Sequence, residues 1–101
     1  GFDWDTAADT LPKVHEEADE VLDALNKGNA PAIAEEIGDL LFACVNAARK
    51  AGVDPELALA AATQKFTNRF IKMEELILSE GGCLSDMTLE QMDSYWDRIK
   101  K

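Results

Sequence analysis

Apolar residues recur every three or four positions along most of the chain, and this period predicts α-helices rather than strands. Four helices follow from the pattern, at about 7–26, 31–51, 55–79 and 89–100. Pro12 lies inside the first segment, and because proline is tolerated best in the first turn, it favours a true start nearer residue 11. No segment shows the two-residue alternation of a half-buried strand, so the pattern predicts an all-α fold.

Turn and capping residues separate the four segments. Gly28 lies in the turn after the first helix, and Pro31 opens the second. Asp54 is placed to cap the third helix, and Thr88 with Gln91 forms a capping box that starts the fourth. Because the loops are short, we expect the helices to pack as an antiparallel bundle of about four.

Composition limits the classes of protein that this bundle could be. A chain of 101 residues is expected to form one domain, 1–101, and its start at Gly1 rather than Met is consistent with a piece of a longer protein. A net charge of −10 lacks the basic face that a nucleic-acid polymer requires. No apolar run approaches the roughly 20 residues of a membrane span. Two isolated cysteines fit a cytoplasmic protein, and Cys44, inside an apolar run, is expected in the core.

Acidic residues on the first two helices are the main chemical signal. They form two runs, Glu16-Glu17-x-x-Glu20 and Glu35-Glu36-x-x-Asp39. Residues three apart share a helix face, so each helix offers one pair of carboxylates for a cation. If the chain reverses around Gly28, Glu20 is opposite Glu36 and Glu17 is opposite Asp39. The four carboxylates would then form a square across the helix interface.

The second helix gives the stronger evidence for a cation site. From Ile37 to Ala48 the only hydrophilic side chains are Asp39 and Asn46, so we expect Asp39 to be buried or half-buried. A buried carboxylate is costly unless it is paired or coordinates a metal. All-oxygen ligands suit magnesium, manganese or calcium, and the absence of an EF-hand loop weighs against calcium. A single histidine, His15, excludes zinc sites built on two histidines.

Basic residues on the third helix supply a complement to the carboxylates. Lys65 and Arg69 lie one turn apart, and beside a metal site they are suited to neutralise phosphate oxygens. Lys13, one turn before Glu17, could act in the same way. Near the end of the chain, Trp96 and Lys100 at i and i+4 could offer a base-stacking surface and a further cation, although Trp96 is equally suited to the core.

Taken together, these residues resemble the MazG family of all-α nucleoside triphosphate pyrophosphohydrolases. The family signature is E-E-x-x-E followed, after a dozen or more residues, by E-x-x-D. It stands here as Glu16-Glu17-Ala18-Asp19-Glu20 and, after fifteen further residues, Glu36-Ile37-Gly38-Asp39. Lys65-Phe66-Thr67-Asn68-Arg69-Phe70 also looks like the family. The opening Gly1-Phe2-Asp3-Trp4 and the late Met92-Asp93-Ser94-Tyr95-Trp96 resemble the second, active repeat of two-domain MazG proteins.

The resemblance implies Mg²⁺-dependent hydrolysis of a nucleoside triphosphate to the monophosphate and pyrophosphate, with Mn²⁺ as a substitute. It also implies a homo-oligomer, with a dimer expected. The implied metal ligands are Glu17, Glu20, Glu36 and Asp39. The implied nucleotide contacts are Lys13, Lys65, Arg69, Trp96 and Lys100. One departure is Ala32, in a region where relatives often carry a basic residue, and Lys27 could supply that charge instead.

The mechanistic hypothesis is metal-assisted attack of water on the α-phosphorus, with pyrophosphate leaving. The sequence identifies no clear general base, and Glu16, about 40° from Glu20 around the helix, is the one candidate. One alternative is a narrower enzyme acting on dUTP, dCTP or phosphoribosyl-ATP. Another is a non-catalytic helical dimerisation module that keeps the metal site for structure. Lys65 and Arg69 together favour an enzyme.

Overall fold

Four α-helices account for most of the chain in a computed structural model, which describes residues 1–100. They are α1 (Leu11–Lys27), α2 (Ala30–Lys50), α3 (Pro55–Ser79) and α4 (Leu89–Lys100). The predicted all-α fold is confirmed, since residues 1–100 contain no strand. None of the helices in this range is long and apolar enough to cross a membrane.

The start of α1 differs from the broad segment that apolar spacing predicts. Residues Ala8–Thr10 form a short 3-10 turn, and regular α-helix begins only at Leu11. Pro12 falls in the first turn of α1, where its missing N–H leaves no intrahelical bond unmade. The start near residue 11 that Pro12 favours is therefore confirmed.

The turn between α1 and α2 is short because one residue ends the first helix and the next residue caps the second. Gly28 ends α1 with φ of 71°, a left-handed conformation that glycine adopts without steric cost. Asn29 then caps α2, and its side-chain Oδ1 accepts a hydrogen bond of 3.1 Å from the backbone N–H of Ala32. The chain therefore reverses around Gly28, as its sequence predicts.

The described residues divide into two compact units, one of Gly1–Glu56 and one that begins at Leu57. In the first unit α1 packs against α2, and the buried apolar residues of these two helices are small, Ala24 and Ala43. Small side chains let two helices approach closely, which brings the polar residues beside them within reach of one another.

The second unit has its own apolar centre, formed by Met73 and Ile77. The ring of Trp96 in α4 packs at 5.3 Å from that of Phe66 in α3. The predicted capping box of α4 is present: Thr88 Oγ1 accepts from the Gln91 N–H at 3.2 Å, and Gln91 Oε1 accepts from the Thr88 N–H at 2.9 Å.

Many large apolar side chains remain exposed in the single chain. On α2 they include Ile37, Leu41 and Val45, which lie four residues apart and therefore form one stripe. Cys44 is also exposed, so its expected place in the core is wrong. An apolar run predicts burial only where another element packs on it, and these side chains of α2 are exposed.

Candidate metal centre

Three carboxylates from α1 and α2 meet at the helix interface. Glu17, Glu20 and Glu36 each place one oxygen within 4.8 Å of the others. We call these three residues the acidic cluster. Glu17 and Glu20 are one turn apart on α1, and the reversal at Gly28 sets Glu36 of α2 beside them. The spacing of the carboxylates and the turn that separates the helices thus assemble the cluster.

The two clefts beside the cluster follow the register expected from the sequence. A cleft of about 220 Å³ is lined by both Glu20 and Glu36, and Lys27 and Ala32 also line it. A second cleft of about 120 Å³ is lined by both Glu17 and Asp39. Each α1 carboxylate therefore shares a cleft with the α2 carboxylate predicted to face it.

Asp39 departs from the expectation in one important respect. It is exposed rather than buried or half-buried, and it lies outside the group of carboxylates that approach within 4.8 Å. The inference failed because it took the apolar run of α2 as covered all round. Leu41 and Phe42 on the same stretch are also exposed, at 61% and 68%. A buried carboxylate is present, but it is Glu17, with 5% of its surface exposed.

Lys13 reduces the repulsion within the acidic cluster. Its Nζ lies 3.0 Å from Glu17 Oε1 and 3.4 Å from Glu16 Oε2. The hydrogen bond from Lys13 lowers the pKa of Glu17, with a further contribution from Glu20 and against the effect of burial. In return, hydrogen bonding to Glu17 raises the pKa of Lys13. Lys13 therefore lies on the same face of α1 as Glu17 and pairs with it, and its predicted contact with phosphate stays a prediction.

A proton on Glu20 offsets part of the negative charge of the cluster near neutral pH. Its hydrogen bond with Glu17 and the charge of Glu17 raise the pKa of Glu20 to about 7, and burial and Glu36 act in the same direction. Carboxylates held close together cannot all ionise without a positive charge between them. Near neutral pH, Glu20 is therefore protonated in about half of the molecules.

The chemistry of the donor atoms fits a hard divalent cation. Glu17 Oε2 and Glu36 Oε2 are buried and have no hydrogen-bond partner in the described chain. Buried polar atoms are rarely left without a partner, because the lost hydration costs free energy. Oxygen atoms are also the ligands that Mg²⁺ and Mn²⁺ prefer. The two unpartnered oxygens belong to different helices, and a cation held by the acidic cluster would give these carboxylates a partner.

The other residues proposed from the sequence to bind nucleotide lie in the second unit. Arg69 is half-buried and Lys65 exposed on α3, and Lys100 is exposed at the end of α4. Trp96 is half-buried and lines a cleft of about 310 Å³ with Phe66. The contact between these two rings fits the core role that the sequence left open for Trp96. The nucleotide-binding roles of all four residues stay predictions.

Sequence reasoning overlooked the N-terminal side of the acidic cluster. Trp4 and Asn46 line the same cleft as Glu17 and Asp39. Asp3, the neighbour of Trp4, is paired with Arg49 near the end of α2. The isolated tryptophan in an irregular N-terminal segment was the available signal, but only the folded chain shows which helices it meets.

The fold and the site define an all-α protein whose helical hairpin brings three carboxylates to within 4.8 Å of one another. The chain belongs to the family of MazG nucleotide pyrophosphohydrolase domains, whose family model matches residues 5–74. The resemblance drawn from the acidic motifs is therefore confirmed.

Individual relatives extend the match over nearly the whole chain. It is 44% identical over 100 residues to the nucleoside triphosphate pyrophosphohydrolase/pyrophosphatase MazG of Thermotoga maritima, covering 99% of this chain and 38% of that protein. It is 39% identical over 103 residues to the nucleoside triphosphate pyrophosphohydrolase of Escherichia coli K12, covering 100% and 39%. The uncharacterized protein YabN of Bacillus subtilis is 47% identical over 66 residues, covering 65% and 14%. The chain thus spans about two fifths of the length of the first two relatives.

Proposed function

We propose that this chain hydrolyses nucleoside triphosphates to the monophosphate and pyrophosphate with Mg²⁺. Two independent lines support the proposal. The chain belongs to the MazG nucleotide pyrophosphohydrolase domains, and two relatives are named as nucleoside triphosphate pyrophosphohydrolases. In addition, its own residues form an acidic cluster on one side of a helical hairpin.

The observation that carries the proposal is the pair of buried oxygens without partners, Glu17 Oε2 and Glu36 Oε2. A solvated acidic surface would leave its oxygens hydrated rather than buried. In the proposed site Glu17, Glu20 and Glu36 hold Mg²⁺, and Asp39 joins them from the neighbouring cleft. A cation bound there would polarise a phosphate oxygen and lower the pKa of a bound water.

The basic residues have a separate role in the proposal. Lys13 lies 3.0 Å from Glu17, which supports a role for it in binding a phosphate that approaches the cluster. Lys65, Arg69 and Lys100 are proposed to bind the remaining phosphate charge, because guanidinium and ammonium groups bind phosphate oxygens strongly. Glu16, 3.4 Å from Lys13 Nζ, is the proposed general base.

The direct test is phosphorus NMR of the products formed from ATP with Mg²⁺, with an EDTA control. We expect AMP and pyrophosphate, appearing only with the metal. Glu36→Gln should abolish turnover while circular dichroism shows an unchanged helix content, because it removes one charged oxygen ligand. Glu35→Gln is the matched control, since Glu35 is the exposed neighbour outside the cluster and its loss should leave the rate nearly unchanged.

Other outcomes would each replace the proposal with a definite alternative. ADP and phosphate would mean cleavage of a different bond and would overturn it. Turnover confined to dUTP, dCTP or phosphoribosyl-ATP would identify the narrow-substrate enzyme. Thermal stabilisation by Mg²⁺ without turnover of any of these substrates would identify a structural metal site in a dimerisation module.

We also propose that a second copy of the chain covers the apolar stripe of α2 formed by Ile37, Leu41 and Val45. These side chains are 42%, 61% and 45% exposed in the single chain. A regular stripe at four-residue spacing is the pattern by which one helix packs on another, and small chains gain burial by oligomerising. Leu41→Glu should yield monomers in sedimentation analysis, whereas Asn26→Glu, on the exposed end of α1, should not. A monomeric parent protein would contradict this assembly.

A further inference from the structure

The last helix, α4, is attached to the second unit with little buried surface. None of its residues, Leu89–Lys100, is fully buried, and Trp96 is half-buried where its ring packs on that of Phe66. A helix of 12 residues is marginally stable in water when it is isolated. The order and the orientation of α4 therefore depend on the few contacts that it makes with the rest of the unit.

Glu80, which follows the end of α3, makes three of these contacts. Arg98 donates to Glu80 through both terminal nitrogens, Nη2 to Oε2 at 2.9 Å and Nη1 to Oε1 at 3.4 Å. The Tyr95 hydroxyl donates to Glu80 Oε1 at 3.2 Å. The guanidinium carbon of Arg98 also lies 5.2 Å from the centre of the Tyr95 ring. We call Glu80, Tyr95 and Arg98 the Glu80 network.

The Glu80 network contributes orientation more than stability. The hydrogen bond from Arg98 lowers the pKa of Glu80, and the hydrogen bond from Tyr95 acts in the same direction, so Glu80 is charged at neutral pH. The side chains of Arg98 and Glu80 are 53% and 40% exposed, and ion pairs with this exposure add little to the free energy of folding. A guanidinium that binds both oxygens of a carboxylate nevertheless fixes the relative orientation of the two groups.

The two attachments of α4 lie on different sides of the helix. At about 100° per residue, Trp96 is about 100° from Tyr95 and about 160° from Arg98 around the helix axis. The contact between Trp96 and Phe66 holds one side of α4, and the Glu80 network holds another. Because one contact alone would leave the helix free to rotate about its axis, the Glu80 network is needed to fix that rotation.

Lys100 depends on this orientation more than the other residues of α4. It lies in the last turn, two residues after Arg98, and its side chain is exposed. The last turn of a helix frays readily, because its carbonyl groups lack intrahelical partners. Arg98 lies in the same turn and attaches it to Glu80. Without this ion pair, the ammonium group of Lys100 would sample a wider range of positions.

We propose that Glu80 is a positioning residue for nucleotide binding, which acts through Arg98 and Tyr95 to orient the last turn of α4 so that Lys100 binds phosphate. The inference rests on the proposed function for the role of Lys100. Glu80 itself does not contact the nucleotide, and it lies outside the set of residues that the sequence predicts to bind one.

The first test measures binding without turnover, using Mg²⁺ and the α,β-methylene analogue of ATP, which resists cleavage between the α- and β-phosphates. In isothermal titration calorimetry, Glu80→Gln should raise Kd about threefold to fivefold, which is the size of effect that an exposed ion pair supplies. Arg98→Ala should do the same, and Arg98→Lys should recover part of the loss because it restores the charge. Glu75→Gln is the matched control, since Glu75 is exposed on α3 and outside the network, and Kd should not change.

A double-variant cycle separates positioning from a general effect on the fold. If Glu80 acts through Lys100, then Glu80→Gln should not weaken binding further once Lys100→Met is present. Losses of binding that simply add would overturn the proposal, as would an unchanged Kd in Glu80→Gln. With ATP as substrate, Glu80→Gln should raise KM while kcat changes much less, and a fall in kcat at constant KM would also overturn it.

The orientation of α4 has its own spectroscopic readout. The chain contains two tryptophans, so a Trp4→Phe background leaves Trp96 as the single indole. In this background, Glu80→Gln should change the near-ultraviolet circular dichroism of Trp96, while the far-ultraviolet spectrum shows the same helix content. An unchanged near-ultraviolet spectrum would show that the network does not orient α4 and would overturn the proposal.

This inference and the proposed function fail in different ways. If Glu80→Gln weakens binding of the analogue through Lys100 but no triphosphate is hydrolysed, the role of Glu80 stands and the proposed function does not. If ATP is hydrolysed to AMP and pyrophosphate but Glu80→Gln leaves Kd and KM unchanged, the function stands and the role of Glu80 is wrong.

Discussion

Magnesium binding at the acidic cluster should release a proton from Glu20 near neutral pH. In the metal-free protein, Glu17 raises the pKa of Glu20 to about 7 through a hydrogen bond and its negative charge. A carboxylate that coordinates a cation has to be deprotonated, so metal binding and proton release are linked. Below the pKa of Glu20 the cation must displace the proton, whereas above it the ligand is already free.

The size of the effect follows from this single pKa. Glu20 with a pKa of about 7 carries about 0.9 proton at pH 6, about 0.5 at pH 7 and about 0.1 at pH 8. These fractions are released on binding. The apparent affinity for Mg²⁺ should therefore be about tenfold weaker at pH 6 than at pH 8.

Isothermal titration calorimetry in two buffers of different ionisation enthalpy measures the released protons directly. The difference between the two observed enthalpies should indicate about half a proton per site at pH 7. Asp19→Asn is the matched control, because Asp19 is an exposed neighbour outside the acidic cluster and should leave the release unchanged. Equal affinity at pH 6 and pH 8, with no proton released at pH 7, would refute the reasoning.

Three stability predictions follow from the same structure. In EDTA, Glu20→Gln should melt at a higher temperature than the parent at pH 8, and the difference should be smaller at pH 5. The reason is that the folded parent binds more protons at Glu20 than the unfolded chain between pH 4.5 and about 7, so the parent loses stability as pH rises through that window. An equal difference in melting temperature at both pH values would contradict this. Asn29→Ala removes the cap on the Ala32 N–H and should cost about 1 kcal/mol, or about 4–8 °C in melting temperature by circular dichroism. Thr88→Ala should produce a drop of similar size, since it breaks the capping box with Gln91, and an unchanged melting temperature would show that α4 does not depend on it.

Local signals in the sequence were sufficient for the helices and their register. Gly28 and Asn29 fix where the chain turns, and helical periodicity then sets which side chains face each other across the interface. That is why the approach of Glu20 to Glu36 could be expected from residue numbers alone. The start of α1 was predicted less accurately, because a 3-10 turn and an α-helix have similar spacings of apolar residues.

The burial of individual groups could not be predicted in the same way. Asp39 was expected to be covered because its neighbours are apolar, yet burial depends on what packs over a helix and not on its composition. The cleft at Trp4 was missed for a related reason. Its position depends on the ion pair between Asp3 and Arg49, residues separated by 46 positions, and no local pattern predicts such a contact.

The metal-free cluster already contains the means to balance its own charge. Lys13 pairs with Glu17, and Glu20 holds a proton near neutral pH, so the helix interface is not left with three uncompensated carboxylates. The fold should accordingly persist without a cation, and a ligand substitution should leave it intact. The buried oxygens Glu17 Oε2 and Glu36 Oε2 have only the single proton of Glu20 to share in the absence of a cation. Loss of turnover in Glu36→Gln with the helices preserved would therefore report on the chemistry of the site and not on folding.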